Sequence, residues 1–178
     1  LSADATSQYE ESRTKVRKQF GVSENHEIIF TSGTTHGINI VSSGLQSILT
    51  QDDEIIISAM EHHSNIVPWQ MLCEKTGATM KVIPIKNDGT LDIDEYKSML
   101  NPKVKFVFVN HVSNTLGTIN PIDLIIELAH KNNSQVLIDG AQYRDDSARL
   151  SRMGDVPKVG TLKTDAHRRD FTINAMYL

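Results

Sequence analysis

A chain of 178 residues, 39% hydrophobic and 22% charged, has the size and composition of one soluble domain with a sizeable core. Its net charge of −4 excludes a global attraction to nucleic acid or anionic membrane, and its single cysteine, Cys73, excludes an intrachain disulfide framework. No apolar run approaches the roughly 20 residues of a membrane-spanning helix, so the chain reads as cytoplasmic.

The chain lacks an initiating Met and reads as starting inside a longer protein. Residues 3–20 predict a helix with Ala5, Tyr9, Val16 and Phe20 on one face, stopped by Gly21. EIIFT at 27–31 is a short apolar strand, and SGTTHGINIVSSGL runs from a glycine-marked turn into a helix. Strands follow at 53–58, 79–85, 104–110 and 134–139. Helices are expected at 64–77, closed by Gly77, at 92–100, capped by Asp92, and at 120–132, with proline in the first turn.

Strand and helix alternate, and several strands are continuous apolar runs. That pattern predicts an α/β fold with a mostly parallel sheet buried on both faces. Ligands of such sheets bind outside the carboxyl ends of the strands. After the first predicted strand stands Ser32-Gly33-Thr34-Thr35, whose glycine, hydroxyls and helix N-terminus suit a phosphate; an ordinary capped turn has the same letters. After the second stands Glu61-His62-His63. An imidazole there suits stacking on a flat ligand, or is a solvated loop histidine; the helical HExxH spacing of a metal site is absent, and no metal is expected.

After the fourth strand come Ser113 and Asn114, suited to hydrogen-bonding a ring substituent or to turn chemistry. After the fifth comes Asp139, a buried carboxylate that needs a partner such as a cationic nitrogen heterocycle, or that caps the next helix. A phosphate cradle, a stacking ring, an amide and an acid around one crevice describe a pocket for pyridoxal 5'-phosphate.

FTSGTTHGINIV, ISAMEHHSNIVPWQMLC, IPIKNDGTLDIDEY, HVSNTLGTINP and VLIDGAQ resemble, in order and spacing, the large domain of cysteine desulfurases. These belong to the class V aminotransferases, within the fold-type I pyridoxal-phosphate enzymes. EHHSNIVPWQ is similar to the sulfur-mobilisation subgroup. The resemblance covers residues 1–142 and implies a partial large domain.

It also implies that Thr34 and Thr35 hold the phosphate and that His62 stacks on the cofactor ring. Asn114 and Gln142 would then reach its phenolic oxygen, and Asp139 would pair with the ring nitrogen. The implied reaction converts L-cysteine to L-alanine and a persulfide, for iron–sulfur cluster assembly. The implied partners are a sulfur-acceptor protein and a second copy of the chain. The family's cofactor lysine stands in a Ser-Gly-His-Lys context, which Lys158 and Lys163 do not match. Its sulfur-accepting cysteine is not matched by Cys73, which reads as a small helix residue. The expectation is therefore a desulfurase lineage without full activity in this chain.

Residues 143–178 differ in character. They carry 7 basic against 5 acidic residues, whereas residues 1–142 carry 11 against 17, so the sign of the charge flips. GTLKTDAHRRDFTINAMYL resembles the head-domain motif of class II tRNA nucleotidyltransferases and poly(A) polymerases. The resemblance implies that Arg168, Arg169, Asp170 and Asn174 lie near a nucleotide, with nucleic acid a partner only if this tail functions. The alternative expectation is thus a nucleotide-binding fragment, or a chimeric chain joined near Gln142 with neither activity.

Overall fold

The computed structural model describes residues 2–140 together with the strand at 173–177. It divides into two compact units, residues 1–32 and 33–178. Helix α1 (Ser2–Phe20) makes up most of the first unit and has no buried residue. The helix is as expected; on its apolar face Tyr9 is 45% and Phe20 37% accessible, and Val16 is half-buried. Gly21 ends the helix at φ 62°, in the left-handed region where a side chain is strained. Residues 27–31 are not a strand, contrary to the sequence expectation. An apolar run becomes a strand only when a neighbouring strand pairs its backbone, and no described strand does so here. Phe30 instead sets its ring edge against Tyr9, with centroids 5.3 Å apart.

The second unit is the α/β body. Its elements are α2 (Thr34–Leu45), β1 (Glu54–Ser58), a 3-10 turn (His63–Asn65), α3 (Val67–Thr76), β2 (Thr79–Ile83), α4 (Ile93–Met99), β3 (Val104–Asn110), α5 (Ile122–Lys131), β4 (Gln135–Gly140) and β5 (Ile173–Tyr177). The sheet order is β2-β1-β3-β4-β5. The first four strands are parallel, as expected, and β5 pairs antiparallel with β4.

Alternate side chains along the strands build two cores. Ile56, Val107, Val109, Val136 and Ile138 pack with Tyr96 of α4 and Ile125 and Ala129 of α5. Ile55, Ile57, Phe106, Phe108 and Leu137 pack with Ile38 and Leu45 of α2 and Trp69 and Leu72 of α3. This explains the continuous apolar runs: a strand covered by helices on both faces has no polar side to show. The Tyr96 hydroxyl donates to the Ile125 carbonyl at 3.0 Å and ties α4 to α5. Asp92 caps α4 as expected, accepting from the N–H groups of Asp94 and Glu95. Gly77 closes α3 at φ 80°, where an added Cβ would lie 3.0 Å from Gln51 Cβ.

Candidate functional site

β2 lies on one side of β1 and β3 on the other, so the strand order reverses at β1. The connections from β1 and β3 leave to opposite faces, with α3 in one core and α5 in the other. A crevice opens at such a switch point, outside the carboxyl ends of the strands. The polar residues Ser58, Glu61, Asn65, Asn110, Asn120 and Asp139 are all buried, and they lie at or just beyond these strand ends.

Glu61 joins the two sides. Its carboxylate accepts from Ser58 Oγ, from Asn65 Nδ2 at 2.6 Å and from the Asn110 backbone N–H at 2.9 Å. Burial opposes ionisation more strongly than these donors favour it, and the nearby Asp139 charge opposes it further. The Glu61 pKa is pushed up to about 7. Asn110 Nδ2 donates to the Met60 carbonyl, and Asn120 Nδ2 donates to Asn110 Oδ1 at 2.8 Å. Asn65 Oδ1 accepts from Trp69 Nε1 at 2.9 Å, and Trp69 stacks on Phe108 with centroids 3.6 Å apart. The polar cluster is thereby anchored to the core.

His62 caps the 3-10 turn. Its Nδ1 accepts from the Ser64 N–H at 3.2 Å. A backbone N–H can only donate, so Nδ1 carries a lone pair and the neutral ring has its proton on Nε2. The His62 side chain is exposed, and a positive charge on it would favour ionisation of Asp139. Asp139, at the end of β4, is 6% exposed, and burial raises its pKa despite His62. No described residue donates a hydrogen bond to its carboxylate. The structure thus brings His62 and Asp139 together as candidates.

Thr34 opens α2, which packs against the His63–Asn65 turn. Its Oγ1 is buried and has no hydrogen-bond partner among the described residues. Gly33 provides no side-chain cap for the helix and stands at φ 146° with open space where a Cβ would sit. Thr35 is exposed, and its carbonyl accepts from Asn39 Nδ2 at 2.7 Å. Asn114 is exposed in the turn between Val112 and Ile119, and no described hydrogen bond joins it to His62 or Asp139. Its neighbour Ser113 is buried, pairs its N–H with the Thr118 carbonyl, and serves the turn. Gln142, Arg168, Arg169 and Asp170 lie outside the described residues, and Asn174 stands on β5 in register with Asp139.

Among the described residues no three His, Cys, Asp or Glu side chains gather as a metal site. None of the described helices is long and apolar enough to cross a membrane. Sequence reasoning passed over Glu61 as a site residue and missed Asn65, Asn110 and Asn120 altogether. The available signal was an amide at the end of the fourth predicted strand and an acid just after the second.

The fold and site define an open α/β protein with a polar crevice at a switch point, and the sequence model described as Aminotransferase class-V matches residues 1–158. The chain belongs to the class V aminotransferase family. Within the family it is similar to cysteine desulfurases. That of Cronobacter sakazakii is 49% identical over 143 residues, which are 80% of this chain and 35% of the relative. The apo structure of the cysteine desulfurase from Thermococcus onnurineus NA1 superposes with a TM-score of 0.73 at 35% identity, covering 80% of this chain and 35% of that one. A C-DES variant with glycine covalently linked to its PLP cofactor superposes with a TM-score of 0.67 at 26% identity, covering 78% and 38%. The chain thus spans about a third of the length of the curated relatives it matches. The family match continues past Gln142, into the segment whose charge differs.

Proposed function

We propose that this chain is the cofactor-binding segment of a pyridoxal-phosphate-dependent cysteine desulfurase. The whole protein would act in the cytoplasm as a homodimer. It would take sulfur from L-cysteine, leave L-alanine, and pass the sulfur as a persulfide to an acceptor protein for iron–sulfur cluster assembly. The observation that carries this reading is Asp139: a buried carboxylate at a strand end, facing His62, with no donor among the described residues.

The residues fit the group. Asp139 would hold the proton of the ring nitrogen, because a cationic neighbour restores the charge that burial disfavours. Thr34 Oγ1, buried without a described partner, would donate to the phosphate beside the α2 N-terminus, with Thr35 next to it. His62 would cover the ring with its face, since its Nδ1 is committed to the Ser64 N–H. Asn114 and Gln142 would reach the phenolic oxygen. When bound, the cofactor supplies an electron sink for the amino-acid substrate. The relatives named above support the cofactor class and the substrate.

The test is competition. Pyridoxal phosphate should bind the purified chain reversibly, inorganic phosphate should displace it, and pyridoxal without the phosphate should bind more weakly. Equal binding of pyridoxal and its phosphate would remove the phosphate cradle from the proposal.

A further inference from the structure

We propose that Glu61 is a positioning residue: its carboxyl group locks the loop that carries His62 to the end of β3. The word positioning rests on the reading of His62 as a ring-contacting group.

Three donors converge on this one carboxyl group, from Ser58 before the loop, Asn65 after it and Asn110 on β3. In its ionised form the group has acceptor sites on both oxygens and no donor, so it takes all three. A neutral amide would set its own NH2 against one of them. The fixed points lie on both sides of His62, and a second bond, from Asn110 Nδ2 to the Met60 carbonyl at 2.9 Å, spans the same gap. Asn65 is held in turn by Trp69. The loop is therefore pinned at buried Ser58, Met60, Glu61 and Asn65, while His62 and His63 are exposed. The charged group that faces Glu61 is Asp139 from β4, and Asp139 faces His62. Glu61 thus stands behind both groups of the proposed ring site and touches no ligand itself.

Nitrogen-15 NMR of the His62 imidazole in the cofactor-free full chain tests this. The parent should show His62 with an unprotonated Nδ1. Glu61→Ala should release the ring to a mixture of tautomers, and the Asn110 N–H should exchange at least roughly tenfold faster. Glu61→Gln, whose amide oxygen still accepts from Asn110, should recover part of that protection. If Glu61→Ala does not fold, Glu61→Gln is compared with the parent by the same two signals. A His62 spectrum and Asn110 exchange rate identical to the parent in a folded variant would overturn the proposal.

Failure of pyridoxal phosphate to bind would end the cofactor reading and leave these cofactor-free signals unchanged.

Discussion

The Glu61 carboxylate accepts a hydrogen bond from the backbone N–H of Asn110 at 2.9 Å, 49 residues further along the chain. This contact ties the loop after β1 to the end of β3, and it places a carboxyl group where water cannot fully stabilise its charge. Glu61 ordinarily titrates near 4.5 and here near 7. Between those values the native state keeps a proton that the unfolded chain has released. Its contribution is full below about pH 4.5 and is lost as pH rises through about 7, with a size of about 3 kcal/mol. The raised pKa of Asp139 acts in the same direction. Urea unfolding from about pH 5 to about pH 8 should show falling stability, with the fall clearly smaller in Glu61→Gln. An equal fall in both proteins would contradict this assignment.

Thr34→Val should separate stability from binding. The Oγ1 that it removes is buried without a described partner, so its loss should leave the chain as stable or about 1 kcal/mol more stable. The same change should weaken pyridoxal phosphate by roughly tenfold, equal to about 1.4 kcal/mol. Chemical denaturation and a binding titration on one preparation measure both signs.

The stack of Trp69 on Phe108 carries the helix side of one core. Phe108→Ala should cost about 3–5 kcal/mol, because a fully buried ring leaves a cavity between the sheet and α3. Trp69→Phe keeps an aromatic ring but breaks the bond to Asn65 Oδ1, and should cost about 1–3 kcal/mol. Equilibrium unfolding in denaturant distinguishes the two sizes.

Lys158 and Lys163 lack the Ser-Gly-His-Lys context of the family lysine. Borohydride reduction of the chain with pyridoxal phosphate, followed by peptide mass analysis, should give no single specific adduct at either lysine. One specific adduct at Lys158 or Lys163 would overturn that expectation.

The parallel strands were legible because burial on both faces makes a strand apolar at every position, as in FVFV of β3. Asp92 and Gly77 were legible because a cap and a left-handed terminus are decided by adjacent residues. The run at 27–31 misled for the opposite reason. Its composition is that of a strand, but strand pairing is a property of a neighbour, and Ile29 is 70% exposed. The helix at 3–20 and its stop at Gly21 were legible, because periodicity and a left-handed terminus are local properties.

Of the candidate site, Asp139 and His62 could be placed because each stands at or just past a strand end. Glu61, Asn65, Asn110 and Asn120 form a site only once β1 and β3 are set side by side, and no local spacing encodes that. The family match runs to residue 158, past the boundary near Gln142 that the tail resemblance suggested, and the candidate residues Gln142, Arg168, Arg169 and Asp170 lie outside the described residues.

Asp139 is proposed as the partner of a cationic cofactor ring. Equilibrium binding of pyridoxal phosphate to the full chain and to Asp139→Ala tests it most directly. Binding should be saturable and reversible, and Asp139→Ala should weaken it by at least roughly tenfold while the variant remains folded. Absence of binding, or equal affinity in the two proteins, would contradict it.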